Sequence, residues 1–304
     1  MKLKFIPGIL FVLLALIADA TRCYGQDDLL IMLQLELPRP KEKVLATFKG
    51  DKVINVQTNE TVKKDNLDFR VGHLFGNVGK ESGGGIHNLY GLHQSADIRI
   101  GFHYGLSDRL MVGVSSLKRN ENFEGLVKFR LLEQTTDNSM PFAITLLGNA
   151  TYSIKESEMF TKNVYRLTYL AEAIIARKFS SDFSCVIAPA FLHRNFVNSD
   201  DENNTFSLSA GFRYRFTRSA SIIADYSHTF GRDILLLDHF DAIGAGIEIE
   251  TGGHVFSIMF TNASGILEND FLVNTYDSWG KGGFKFCFNI SRMFKFGKED
   301  PPGK

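Results

Sequence analysis

Cysteine is nearly missing from this chain: three in 304 residues, at positions 23, 185 and 287. That spelling gives no disulfide framework and no Cys-x-x-Cys metal or redox pair. Proline is scarce, with seven against 27 glycines, which excludes collagen-like and Pro-rich disordered chains. Neither sign of charge is in excess, 34 acids facing 34 bases, so a strongly basic nucleic-acid binder is excluded. After the N-terminus no apolar run reaches the roughly 20 residues of a membrane-spanning helix, which excludes a helical bundle. What the chain has is phenylalanine, 27 of 304 residues. With no helical span to hold them, these aromatics belong on strands.

The N-terminus reads as a secretory signal. Lys2 and Lys4 precede an apolar run from Phe5 to Ala18, and small and polar residues follow. Cleavage fits after Ala20 or after Gly25; Gly25 is preferred because Gln26-Asp27-Asp28 reads as mature sequence. Cys23 is a poor lipid-attachment site, since Ala20-Thr21-Arg22 before it lacks the small residues that lipid attachment needs. Removing residues 1–25 takes away Lys2, Lys4, Arg22 and Asp19, leaving 31 bases and 33 acids. The protein is predicted to be exported.

From residue 67 onward the dominant period is two. Ala96, Ile98, Ile100, Phe102 and Tyr104 alternate with Asp97, Arg99, Gly101 and His103. Phe206, Leu208, Ala210, Phe212, Tyr214 and Phe216 alternate with Ser207, Ser209, Gly211, Arg213 and Arg215. Twelve such strands are predicted, near 67–76, 96–105, 110–117, 123–133, 141–152, 164–178, 183–194, 204–216, 220–229, 241–250, 254–262 and 280–296. Most reach the roughly 9–11 residues a tilted strand needs to cross a bilayer.

The connections alternate between short and long, Lys118–Asn122 being the one external connection that is not clearly longer, as in an up-and-down barrel with periplasmic turns and external loops. Aromatics fall at both predicted ends: Tyr104, Phe179, Phe183, Phe216, Phe294 and Phe296 at one, Phe75, Phe123, Tyr152, Phe191, Phe206 and Phe284 at the other. Such girdles mark the two membrane interfaces. A secreted β-sandwich also alternates, but its strands average 5–6 residues. The expected fold class is therefore all-β: an up-and-down antiparallel transmembrane β-barrel over 67–296. Residues 1–25 form the signal peptide, 26–66 an N-terminal extension and 297–304 a polar tail.

The face opposite the apolar one should line the lumen. Its expected charge network is Arg70, Asp97, Arg99, Lys128, Arg130, Glu172, Arg213, Arg215, Asp225, Glu248, Glu250 and Lys285, with Asp68 and Glu124 beside them. That is seven of each sign. Balanced opposite charges fill a lumen with salt-bridge and hydrogen-bond ladders, whereas an ion-selective pore shows a ring of one sign. A narrow or plugged channel is the expectation. Within the extension, Val44–Phe48, the turn Lys49-Gly50-Asp51-Lys52 and Val53–Val56 read as a short hairpin. It is either a periplasmic lead-in, a lumen plug or a docking surface.

Catalytic signals are thin. His93-Gln94-Ser95 at an external rim is the pairing that a lipid acyl hydrolase would use, with His as base for Ser and Asp97 nearby. Asp225-x-Ser227-His228 is a weaker constellation of the same kind. Lys80–Gly85 lacks the Gly-Lys-Ser/Thr end of a phosphate loop. Asp200-Asp201-Glu202 is an acidic loop tip that would either be solvated or bridge cations to lipopolysaccharide. No spacing calls for a cofactor or a metal.

Several segments together resemble a family of Gram-negative outer-membrane β-barrels of unknown function. They are Ala46-Thr47-Phe48-Lys49-Gly50 with Val53-Ile54-Asn55, Leu67-Asp68-Phe69-Arg70 with His73-Leu74-Phe75-Gly76, and Tyr104-Gly105-Leu106-Ser107-Asp108. Lys128-Phe129-Arg130-Leu131-Leu132 and Phe288-Asn289-Ile290-Ser291-Arg292 complete the series. In that family Arg is more usual at the Leu74 position and Asp at the His93 position. The resemblance implies a barrel in the outer membrane and no assigned catalytic residue. The expectation is thus a non-enzymatic outer-membrane protein, passing a small solute through a narrow pore or serving as the membrane component of an envelope assembly. Its expected partners are outer-membrane lipid, lipopolysaccharide and periplasmic or membrane proteins, and not nucleic acid.

Overall fold

The computed structural model describes residues 42–232, 238–251 and 254–296. The predicted signal peptide, its cleavage points and the polar tail lie outside the described residues. Twelve antiparallel strands run β1 (Asn66–Asn77), β2 (Ser95–Gly105), β3 (Leu110–Leu117), β4 (Asn122–Leu132), β5 (Ala143–Ser153) and β6 (Leu167–Lys178). They continue through β7 (Phe183–Arg194), β8 (Asn204–Arg215), β9 (Ala220–Thr229), β10 (Ala242–Thr251), β11 (His254–Thr261) and β12 (Lys285–Lys295). Each strand pairs with its sequence neighbours, and β1 pairs with β12 to close the barrel. Closure leaves no open sheet edge, which hydrocarbon demands because it offers no partner for a free N–H or C=O. No helix among the described residues is long and apolar enough to cross a membrane.

Two predicted strand ends are shorter in fact. Asn163–Arg166 forms a 3-10 turn before β6, and residues 280–284 precede β12 without joining the ladder. Otherwise the alternation sets the faces as expected. Along β2, Asp97, Arg99, Gly101 and His103 are buried while Ile100 and Phe102 are exposed on the outside. The outer surface is aromatic at both ends, with cross-strand ring pairs Phe179–Phe183 at 5.8 Å and Phe191–Phe206 at 5.0 Å. Each such ring is worth about 1.5–3 kcal/mol on leaving water for lipid.

Three of the short turns share one local device. Ser107 Oγ accepts from the amides of Arg109 and Leu110, Ser180 Oγ from Asp182 and Phe183, and Thr217 Oγ1 from Ser219 and Ala220. A hydroxyl that satisfies two backbone donors turns the chain without a proline. The chain therefore reverses tightly at one end of the barrel, and most longer connections fall at the other; the β4–β5 connection (133–142) and the short β3–β4 connection (118–121) are the exceptions.

The interior departs from an all-polar lumen. On β5–β7, Leu147, Leu170, Ile174, Ala176, Val186, Ala188 and Leu192 point inward. They pack in one cluster with Phe48, Val53, Ile54 and Val56 of the N-terminal extension and with Phe271, Leu272 and Val273 of a helix, α1 (Glu268–Asn274). Both the extension and the long connection after β11 thus enter the barrel. Part of the phenylalanine and aliphatic content fills a protein core rather than meeting lipid.

Candidate functional site

The extension enters at the short-turn end. Thr136 N donates to Glu42 O and Val44 N donates to Gln134 O, both on the β4–β5 connection. Lys178 Nζ holds the carbonyls of Leu45 and Ala46 at 3.2 Å each. The chain then rises into the lumen and reverses tightly between Asp51 and Thr58: Thr58 N donates to Asp51 O at 2.7 Å and Val53 N to Val56 O at 2.8 Å. The predicted hairpin exists, but its turn is Val53–Val56, not Lys49–Lys52. Lys49 instead pairs with Glu250 at 3.0 Å on the barrel wall, so the charged tetrapeptide is the hairpin's rising arm.

Three barrel features hold the hairpin. The first is Asp225 on β9. Its Oδ2 accepts the backbone N–H groups of Ile54, Asn55 and Val56 at 3.0, 2.6 and 2.9 Å, and Oδ1 accepts Asn55 Nδ2 at 3.0 Å. Converging amides are a strong match for one anion. Gly211 on β8 and Gly244 on β10 stand directly opposite Asp225 in the ladders. A Cβ on Gly244 would lie 2.8 Å from Ile54 Cγ2, and one on Gly211 would lie 3.2 Å from Val53 Cγ2. The two glycines therefore make room for the hairpin tip.

The second is Lys128 on β4, fully buried, whose Nζ donates to the carbonyls of Thr58, Glu60 and Asp51 at 2.9, 3.3 and 3.4 Å. The third is a charge cluster around Asp51. Arg70 Nη1 bonds its carboxylate while also pairing with Asp68 at 2.6 Å, and His103 Nδ1 lies 3.3 Å away.

A second insertion meets the hairpin from the long-loop end. Ile266 N donates to Asp97 Oδ2 at 2.9 Å, Asn269 Nδ2 to Thr151 Oγ1 at 3.3 Å, and Asn120 Nδ2 to Asp270 Oδ1 at 2.9 Å. Glu268 at the start of α1 joins the two insertions: Lys52 Nζ pairs with it at 2.6 Å and Gln57 Nε2 donates to it at 3.0 Å. Arg232 in the β9–β10 connection reaches Val273 O at 2.7 Å and also pairs with Asp201, which Arg194 holds at 2.9 Å. Within the acidic loop tip Asp201 thus anchors Arg194 and Arg232, while Asp200 and Glu202 are exposed. Burial raises the Asp201 pKa, but hydrogen bonds from Arg232 and Arg194 outweigh it and bring it to about 2.

The twelve sequence-predicted network residues fall in distinct places. Arg70, Lys128 and Asp225 grip the hairpin, and Asp97 caps the loop insertion. Arg99 pairs with Glu124 at 2.7 Å and Arg213 with Glu248 at 2.7 Å, wall to wall. Lys285 pairs with Asp277 at 2.7 Å near the long-loop end. Arg130, Arg215 and Glu250 belong to the short-turn rim, on Glu60 and Glu133, on Asp182 and on Lys49 respectively. Glu172 is buried, with Oε2 lacking a hydrogen-bond partner among the described residues. Strand alternation alone does not reveal Asp51, Lys52, Gln57 or Glu268. The register of Gly211 and Gly244 beside Asp225 is the one sequence-level sign of the cradle.

The hydrolase geometry is not formed. His93 is exposed, Ser95 Oγ is buried, and no hydrogen bond among the described residues joins them. Asp97 is occupied by the amides of Ile98, Arg119 and Ile266 and does not orient an imidazole. The Asp225/Ser227/His228 set is dispersed as well: Asp225 and Ser227 point inward, and His228 Nδ1 pairs with Asp241 at 3.0 Å. Among the described residues no group of three or more His, Cys, Asp or Glu side chains converges to hold a metal.

No curated protein matches the chain. Among solved structures, the NanC porin matches at 9% identity and TM-score 0.48, over 76% of this chain and 100% of that one. The KdgM porin matches at 9% identity and TM-score 0.43, over 76% and 99%. An outer-membrane channel from Pseudomonas putida F1 matches at 11% identity and TM-score 0.43, over 78% and 98%. Likenesses this distant carry no argument about the chain. The family model described as a membrane bound beta barrel domain, DUF5777, matches residues 48–294, from the base of the hairpin to the last strand, and the chain belongs to that family.

Proposed function

We propose that this protein is a non-enzymatic outer-membrane channel held shut by its own N-terminal hairpin, passing a small solute when the hairpin leaves. The supporting observation is the Asp51–Thr58 turn seated across the lumen, gripped by Asp225 on β9 and by Lys128 on β4. Those strands are separated by β5–β8 on one side of the closed order and by β10–β12 and β1–β3 on the other, so the hairpin bridges near-opposite walls. With the start of β1, the end of β12 and the short turns read as the periplasmic end, the hairpin is a stopper inserted from the periplasm. Helix α1 meets it from the external side through Glu268.

The grip is polar and charge-assisted, which suits a device that must let go. Removing one partner of a buried charged contact costs about 3–5 kcal/mol, because the other groups are left unpaired. The full chain should therefore be silent in planar bilayers, and Asp225→Ala should open with discrete current steps. A full chain that conducts steadily would sink the gate, and so would a folded Asp225→Ala barrel that stays silent.

A further inference from the structure

The barrel wall grips the hairpin largely by its backbone. Seven of the wall's bonds to it go to main-chain atoms: the amides of Ile54, Asn55 and Val56 on Asp225, the carbonyls of Asp51, Thr58 and Glu60 on Lys128, and the carbonyl of Asn59 on Thr145. Side chains add to this hold: Lys52 and Gln57 meet Glu268 of α1, and Val53, Ile54 and Val56 pack in the interior cluster. Asn55 Nδ2 bonds Asp225 at 3.0 Å and Thr261 Oγ1 at 3.1 Å, and Asp51 meets Arg70 and His103.

The barrel wall is shaped for this contact. Asp225 is 5% exposed and stands between Gly211 and Gly244 in the ladders, a gap that either Cβ would crowd. Among the described residues no basic side chain hydrogen-bonds the Asp225 carboxylate; its donors are the hairpin's amides. In the emptied lumen water takes the place of these donors, and a ligand with adjacent N–H groups can displace it by restoring the converging bonds that the cradle is shaped for. Lys128 on the far side asks the same ligand for carbonyl oxygens. Adjacent N–H donors on one edge and carbonyls on the other are the pattern of a polypeptide backbone, and sugars do not offer it.

We infer that the lumen is a peptide-binding site, built from the Asp225 cradle and Lys128, in which the hairpin is a tethered stand-in for a short, amide-rich peptide carrying one carboxylate. This rests on the gate reading and names the class of solute that the open channel accepts. Because the Asp225 and Lys128 contacts are to main chain, those two anchors place no demand on sequence, and selectivity falls to the pockets of the Asp51, Lys52 and Val53–Val56 side chains.

The test uses the full, folded chain with a protease site inserted between Lys63 and Lys64, both exposed at the short-turn rim. After cutting, the freed N-terminal segment can leave. A dye-labelled synthetic peptide of the sequence Asp51–Thr58 is then titrated into the cut barrel, with maltotriose as a neutral competitor. Saturable binding that Asp225→Asn or Gly244→Val weakens by roughly tenfold or more, and that maltotriose leaves unchanged, is the expected result. A cut segment that stays bound and exchanges only for the labelled peptide supports the site equally. Absence of binding after the segment has left, or displacement by maltotriose, would overturn it. Bilayer current from the same cut barrel reads the gate separately. Current without peptide binding keeps the gate and removes the peptide site; peptide binding in a silent barrel does the reverse.

Discussion

At the scale of single residues, the gate depends on space as much as on charge. Gly244 faces the hairpin tip, and an added Cβ would come within 3.0 Å of both Ile54 Cδ1 and Cγ2. Gly244→Val should therefore expel the tip while leaving β10 intact, since valine suits a strand. The expected result is a folded barrel with frequent bilayer openings; unchanged closure would show that the tip can shift aside. A second residue should set a pH response at the long-loop end. Burial lowers the His239 pKa, helped by Arg232 and opposed by Asp241, the backbone at Leu272 and Asp201, to about 4. Its folded pKa lies below the ordinary value, so its contribution is present above about 6.5 and is lost as pH falls toward 4. The connection around Arg232 and α1 should loosen in that window, read as faster amide exchange in residues 263–275. His239→Phe should abolish that response. The Asp201 anchor, with its pKa at about 2, should hold through the same window.

At the scale of elements, the strands were legible and the insertions were not, for a physical reason. A strand whose outer face meets lipid repeats its apolar residues every second position, and that signal is local. β3, β7 and β9 accordingly start and stop at the residues the alternation predicts. The inward side of β5–β7 misled because Leu147, Leu170 and Ile174 face a core that exists only when the hairpin and α1 are in place. The same long-range dependence moved the hairpin turn. Lys49-Gly50-Asp51-Lys52 has turn composition, yet Lys49 binds Glu250, Asp51 binds Arg70 and Lys52 binds Glu268, all distant in sequence. Val53–Val56 has strand composition and turns because Asp225 gathers its amides. The network residues were readable as inward charges from alternation, while their division into grip, cap and rim depends on those insertions. Lys52 and Gln57 both reach Glu268, which ties hairpin to α1. Glu268→Ala leaves Lys52 buried without its carboxylate, and the hairpin should open more often, read as bilayer current in place of silence.

At the scale of the whole molecule, two stabilities are superposed and should separate. The closed ladder of twelve strands unfolds only as a unit, because breaking one pairing inside lipid strands backbone groups that no water reaches. The hairpin joins no ladder of the barrel; a few buried polar contacts and the apolar side chains of Phe48, Val53, Ile54 and Val56 hold it. It is thus a low-stability region that opens without global unfolding. Trypsin reports this opening, since Lys52 is buried when docked and is cut only after release. Asp225→Ala removes about 3 kcal/mol of docking, so cleavage after Lys52 should rise roughly 100-fold. Over the same series the barrel should keep its heat-modifiable gel migration, running differently before and after boiling. If cleavage and loss of that migration rise together, hairpin and barrel are one cooperative unit, and the channel cannot open by releasing its stopper.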